Sequence, residues 1–339
     1  MGIVLRRDMR RGGGPLSSSR TARRRWINPV SMAPCEGHLV RKRNVKTGGR
    51  RNDTLAAYLF LAPAILGLIF YTFLPIFGVV GMSLTEWSGL KPPTFIGLQN
   101  FKEIFTDDMF FPFTVSSTLY FALFTVIVGT LYAFVMAMLL NQKIKGRGML
   151  RSVFFLPYIV PSIGAAIVWA WMYEGNFGVI NYFLNLIGLD KVKWLGEELT
   201  ATPALGVMTV WSFGNFIVIY LAGLQGIPKT YLEAVEIDGG NAWHKFWNVT
   251  LPLLSPVILF NVLISIIVNL QVFVPAYSIT RGGPNSSTLY MVYYIFRTGF
   301  QLNRFGYASA VSLIFFAFIA IVTAAIYSTS RKWMFFEGE

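Results

Sequence analysis

The sequence predicts an all-α polytopic membrane protein with six transmembrane helices, and three observations carry that prediction. Hydrophobic residues make up 54% of the 339 and charged residues only 13%, a balance far from that of a soluble domain. Six stretches contain no Asp, Glu, Lys, Arg or His at all: residues 54–85, 109–142, 152–173, 199–228, 246–280 and 305–330. Each exceeds the ~20 residues a helix needs to cross a bilayer. The alternating ten-residue segments of a membrane β-barrel are absent from the sequence, and helices satisfy their own backbone groups in lipid.

The elements follow in order. Residues 1–53 hold 14 Lys+Arg against 3 Asp+Glu, so most of the net charge of +13 sits ahead of the first span. The clusters Arg23-Arg24-Arg25 and Arg41-Lys42-Arg43, with the Gly12-Gly13-Gly14 and Ser17-Ser18-Ser19 runs, predict a basic, disordered cytoplasmic tail. Attraction to lipid headgroups and binding to nucleic acid are the lesser readings, and membrane lipid without nucleic acid is the expected environment. The first apolar stretch is too long for the core of a signal peptide. Cys35 is the sole cysteine, which excludes an intrachain disulfide.

Residues 54–108 then read as the first span and first outer loop, and 109–339 as a five-span body. Lys and Arg collect on the cytoplasmic side of short loops. Placing both termini in the cytoplasm puts 22 of the 29 basic residues there and 7 outside. Arg281, Arg297 and Arg304 are the outer exceptions.

The spans themselves narrow the mechanism. Gradient-coupled carriers place Asp, Glu or His inside membrane helices, and these stretches have none. No phosphate-binding G-x-x-x-x-G-K-[ST] loop occurs, so the chain is not expected to hydrolyse ATP itself. With only His38 and His244 available, neither a catalytic triad nor a metal cluster can be assembled. No enzyme activity and no cofactor are expected in this chain.

Between the fourth and fifth spans lies the polar loop 228–252. Thr230 and Glu233 fit a capping box that opens a short helix. Asp238-Gly239-Gly240 breaks it. Asn241 is placed to cap a second short helix carrying Trp243, Phe246, Trp247 and Val249, with Leu251-Pro252 opening the next span. Two short helices joined by a glycine elbow form a knob that suits a cleft in a partner protein. The plain alternative is a capped helix resting on lipid headgroups.

This loop resembles the cytoplasmic coupling loop of ABC importer permeases, whose pattern runs E-A-A, two residues, D-G and later I-x-L-P. Leu84-Thr85-Glu86-Trp87 with the Phe95–Phe101 segment (FIGLQNF), and Thr280-Arg281-Gly282-Gly283-Pro284 with Phe305-Gly306-Tyr307-Ala308-Ser309-Ala310, are similar to the carbohydrate branch of that family, typified by the maltose and glycerol-phosphate importers. The resemblance implies a permease subunit of the bacterial or archaeal inner membrane that imports a sugar, oligosaccharide or sugar-like solute. It further implies a second homologous permease, two ATPase subunits supplying ATP and magnesium, and an extracytoplasmic binding protein. ATPase coupling is carried over to Glu233, Ala234, Asp238 and Gly239, with Phe246 as the loop's aromatic. Val235, Gly240 and Val249 depart from the family pattern, and Gly240 is expected to loosen the elbow. A gradient-driven transporter or channel is the alternative function.

A solute path needs polar groups on apolar helices. Asn261, Ser265 and Asn269 fall at intervals of four on one face, with Tyr277 beyond them; Trp211 and Asn215 are similarly spaced on the fourth span. Amides and aromatic faces suit sugars, while hydrogen bonding between helices is the competing role for the same residues. Pro157, Pro161 and Pro275 are either gating breaks or plain kinks.

Overall fold

A computed structural model describes residues 50–330, so residues 1–49 of the basic tail lie outside the described residues, and 50–53, read from sequence as its end, form the start of a helix. Contacts divide the chain between Phe60 and Leu61. The first unit contributes, among the described residues, only the opening turns of helix α1 (Arg50–Leu68).

The second unit continues from there. After a π turn (Ile69–Phe73), α2 (Leu74–Ser83) completes the first apolar rod. Strands β1 (Thr85–Glu86) and β2 (Thr94–Phe95) pair antiparallel, Thr85 opposite Phe95. Helix α3 (Gln99–Thr106) leads to α4 (Phe110–Asn141), the longest helix, which packs against later helices along its whole length.

The reason is legible in its buried face. Thr114, Ser117, Thr118, Ala122, Thr125, Gly129, Ala133 and Ala137 recur every three or four residues. Within lipid, burying apolar surface between helices gains little, so association depends on small residues that let backbones come close. Two of the threonines bond back to their own helix, Thr118 Oγ1 to Thr114 O (2.6 Å) and Thr125 Oγ1 to Phe121 O (2.7 Å), while the buried Thr114 hydroxyl has no partner within the protein.

Four continuous helical rods are long and apolar enough to span: Ala56–Ser83, Phe110–Asn141, Ala242–Leu270 and Phe305–Ser330. The other two expected spans are broken. Residues 152–173, read from sequence as one helix, divide into α5 (Arg147–Ile159) and α6 (Ser162–Met172), bent by 97°. Val160 is extended ahead of Pro161, whose ring disfavours a helical predecessor and whose nitrogen donates no bond. The bend settles Pro161 as a break. After α7 (Val179–Leu186), the fourth stretch divides into α8 (Glu198–Trp211) and α9 (Gly214–Gly226), bent by 50°. Helices α10 (Lys229–Ile237), α11 (Ala242–Lys245) and α12 (Leu251–Leu270) follow, then a π turn at Ala276–Thr280, α13 (Met291–Phe296) and α14 (Phe305–Ser330).

Two buried clusters tie α4 to its neighbours. One gathers Ala133, Ala137, Leu140, Phe213, Phe216, Tyr220 and Leu254. The other, toward the N-terminal end of α4, holds Phe121, Leu205, Leu270, Tyr290, Tyr294, Tyr307 and Val311. Asp108 fastens this second end. Its Oδ1 accepts the Phe110 and Phe111 N–H groups at 2.8 and 3.1 Å, satisfying the first donors of α4, while Oδ2 accepts the hydroxyls of Tyr294 and Tyr307. Burial, reinforced by that carboxylate, pushes the Tyr294 phenol up to about 12, so it stays a donor.

Replacing Asp108 with Ala removes a charged acceptor from four donors and is expected to cost ~2–3 kcal/mol. A thermal melt in detergent reads it as a clear drop in Tm. Asp107→Ala, at an exposed position, is expected to stay within ~0.5 kcal/mol of the parent.

Candidate coupling loop and solute path

The loop after α9 builds the knob that the sequence suggests, by partly different means. Pro228 precedes α10, and no side chain caps it, so the Thr230–Glu233 capping box does not form. Proline supplies the entry instead: its fixed φ of −61° and extended ψ of 132° set the chain direction before Lys229. Glu233 is therefore not occupied by a cap; it is exposed, as are Ala234, Asp238 and Gly239.

The elbow is a tight, bonded turn. Asp238 N–H bonds to Ala234 O (3.1 Å), Gly239 N–H to Glu236 O (3.0 Å) and Gly240 N–H to Val235 O (2.8 Å), with Gly239 at φ +77°. These bonds close the C-terminal carbonyls of α10. A Cβ at position 240 would lie 2.4 Å from Val235 Cγ1 and 2.9 Å from its carbonyl oxygen. Gly240 thus does not loosen the elbow, contrary to the expectation from its departure from the family pattern. Two departures compensate across one contact: where the family has small alanines at both positions, this chain has a larger Val235 against a smaller Gly240.

Asn241 caps α11 as its sequence predicts. Its Oδ1 accepts the N–H groups of Trp243 (3.0 Å) and His244 (3.1 Å), and His244 Nδ1 lies 3.4 Å from the Asn241 N–H in return. Lys245 pairs with Glu236 across the elbow and so joins the two short helices.

The second short helix does not stop before the span. It runs through a π turn (Phe246–Thr250) directly into α12, and Leu251-Pro252 lies inside this rod rather than opening it. The π turn has a local cause: Pro252 lacks an N–H and its ring crowds the carbonyl four residues earlier, at Asn248, which a wider turn relieves. Leu251 N–H accordingly bonds to Phe246 O.

Phe246 is half-buried. Its ring packs on Trp247 (5.3 Å), Trp243 (6.4 Å) and Phe134 of α4 (6.2 Å), so it braces the knob against the bundle. Ile237, 86% exposed, and Trp243 and Tyr231 supply the loop's outward apolar surface.

The residues suggested for a solute path separate into two groups. Asn261, Ser265 and Asn269 are wholly buried. Asn261 Nδ2 donates to Phe216 O (3.3 Å) across to α9, and Asn269 Nδ2 donates to Ser265 O (2.7 Å) and Oγ (3.1 Å). In this conformation Asn261 ties α12 to α9, Asn269 and Ser265 bond to each other within α12, and none of the three lines an open surface, because spacing on one face says nothing of which face is covered. Trp211, at the α8–α9 break, and Tyr277 remain 37% and 43% exposed, and Asn215 is half-buried. Trp211 meets Trp169 of α6 edge-on at 5.9 Å, Tyr277 stacks on Phe273 at 5.2 Å, and α6 packs against the Ala276–Thr280 turn. Both open aromatics therefore flank the broken helix α6.

Sequence reasoning missed how the two carbohydrate-branch motifs interlock. Asn100 Nδ2 donates to Ser83 O (2.8 Å) and Thr85 O (3.0 Å), Gly306 N–H bonds to Trp87 O (3.4 Å), and Trp87 lies 5.4 Å from Phe305. Arg304 pairs with both oxygens of Glu103 at 2.7 Å. The segment between α2 and α4 is thereby bound to the head of α14. Asp108 was missed as well, although an acid just ahead of an apolar run is an N-cap signal.

The family described as binding-protein-dependent transport system inner membrane component matches residues 129–334. A probable ABC transporter permease protein, YesP of Bacillus subtilis, is 36% identical over 87% of this chain and 96% of its own length. The trehalose/maltose transport system permease protein MalF of Thermococcus litoralis is 31% identical over 85% and 98%. Among solved structures, a bacterial alginate ABC transporter, crystallised with an alginate pentasaccharide-bound periplasmic protein, superposes with a TM-score of 0.73 at 21% identity, covering 83% of this chain and 96% of that one.

Gly240→Ala is expected to strain the elbow by ~1–3 kcal/mol and to speed amide exchange across 235–245. Adding Val235→Ala removes the closer of the two contacts, so the double variant exchanges more slowly than Gly240→Ala alone. Equal exchange in both would show that the two positions are uncoupled.

Proposed function

The chain belongs to the family of binding-protein-dependent transport system inner membrane components, and on that premise we propose that it is the permease subunit of an ATP-driven importer for a sugar or oligosaccharide. The observation that carries the reading is the knob: an exposed Glu233, Ala234, Asp238 and Gly239 on two short helices locked by Lys245–Glu236 and continuous with a membrane rod. The names of relatives support the solute class, including permeases for trehalose/maltose, for starch degradation products and for multiple sugars.

In this reading six spans cross the membrane, each bent pair counting as one, with both termini cytoplasmic. The knob then faces the cytoplasm. A second homologous permease completes the pore, two ATPase subunits bind the knobs and hydrolyse ATP with magnesium, and an extracytoplasmic binding protein delivers the solute. Closure of the ATPases moves the knob, and because its second helix is the end of the α12 rod, the motion enters the membrane without a loop to absorb it. Solute passes the open side of α6, where Trp211, Asn215 and Tyr277 offer aromatic faces and an amide. Asn261, Ser265 and Asn269 reach solute only if the helices that now cover them part.

Isolation of the tagged chain in mild detergent is expected to bring a second permease and an ATPase in stoichiometric amounts. A folded chain recovered alone would sink the reading and favour gradient-driven transport. In the intact complex Glu233→Lys is expected to lower solute-stimulated ATP turnover at least tenfold with unchanged membrane abundance, and undiminished turnover would remove Glu233 from the docking surface.

A further inference from the structure

A cleft of about 530 Å³ lies apart from the suggested solute path, between the N-terminal half of α4, the start of α8 and the loop before α13. Three distant chain segments meet there. Phe113, Ser116, Ser117 and Tyr120 fall on one face of α4, Glu198 and Thr202 come from α8, and Asn285 closes the third side.

The loop is held in an uncommon shape. Asn285 and Ser286 are consecutive non-glycine residues in the left-handed region, at φ 44° and 62°. Ser117 Oγ donates to Ser286 O (3.2 Å), Thr202 Oγ1 to Ser287 O (3.0 Å), and Asn285 Nδ2 to Glu198 Oε1 (2.5 Å). Backbone held away from its preferred regions by such bonds concentrates at ligand sites.

The groups left over define a ligand. Among the described residues, the second oxygen of Glu198, the Asn285 amide oxygen, the Tyr120 hydroxyl and the buried Ser287 Oγ have no hydrogen-bond partner within the protein. They are mainly acceptors, so the ligand brings donors, and the Glu198 carboxylate opposes an anion. Phe113 and Tyr120, each about half exposed, add two aromatic faces. Hydroxyl-rich rings with apolar faces match both features.

We propose that this cleft is a subsite for an uncharged saccharide ring on the outer face of the permease, upstream of the path along α6. It rests on the importer reading for its orientation and its solute class. The cleft volume admits about a disaccharide, within the usual range for small-ligand sites.

The test is saturation-transfer NMR on the purified complex in lipid nanodiscs, with maltotriose, cellotriose, chitobiose and a uronic-acid trisaccharide as probes. At least one neutral probe is expected to bind, with signal reduced fivefold or more in Tyr120→Ala and in Glu198→Gln, which keeps an acceptor for Asn285. Ser116→Ala guards against a misfolded aromatic variant and is expected to weaken the signal by about half. Phe183→Ala, exposed on α7 away from both the cleft and the path, is expected to leave it in place, and Trp211→Ala reports any share bound along α6. Absence of any neutral-probe signal, preference for the uronate, or loss only in Trp211→Ala would each overturn the proposal. So would Tyr120→Ala weakening association with the binding protein while leaving the sugar signal intact, which would make the cleft a protein contact. ATPase co-isolation and turnover in the same preparation judge the importer reading separately, so a failed subsite and a failed importer give different results.

Discussion

The bundle depends on how closely other helices can approach α4. Water gives a soluble core its drive to collapse, but lipid offers no comparable gain, so helix contacts here rest on shape and on satisfied polar groups. The run of Thr, Ser, Ala and Gly down one side of α4 provides the shape, and back-bonding satisfies the hydroxyls of Thr118 and Thr125 on it. Helices α8, α9 and α12 all gather on that mast. The positions of the knob, of the open aromatics around α6 and of the cleft between α4 and α8 are consequences of it.

Among the described residues, contacts made by charged side chains appear at the ends of the bundle rather than along its middle. Asp108 binds two tyrosines and the first turn of α4, Arg304 binds Glu103, and Lys245 binds Glu236. Each joins elements far apart in sequence or across an elbow, and each lies where water is near enough to lower the cost of charge. The two ion pairs, Arg304–Glu103 and Lys245–Glu236, add little stability. Their effect is geometric, since they fix the register of segments that lipid alone would leave free to slide.

Much of this was legible in the sequence, because charge-free runs and capping signals are local. The six apolar stretches, the glycine elbow and the Asn241 cap all depend on residues within a few positions of one another. The breaks at Val160–Pro161 and Ser212–Phe213 were not, since hydropathy averages over a window and is blind to a bend. Nor was the burial of Asn261, Ser265 and Asn269: four-residue spacing identifies a face but not what covers it. The Val235–Gly240 exchange looked like two unrelated departures until the elbow brought them within a van der Waals radius. Asp108 and the cleft between α4 and α8 bring together residues separated by 80 to 200 positions, which no local pattern reports.

The absence of a joint between α11 and α12 has a mechanical meaning. A continuous rod from Ala242 to Leu270 is 29 residues long, roughly 43 Å at ~1.5 Å per residue, and it behaves as a lever with the knob at its short handle. Tilting such a rod by about 10° about one end swings the other by roughly 7 Å, a displacement larger than one helical turn. The chain softens only past Leu270, where the helix gives way to the segment leading to Pro275 and the Tyr277 turn. Motion entering at the handle would therefore be delivered, little diminished, to the place where the rod ends.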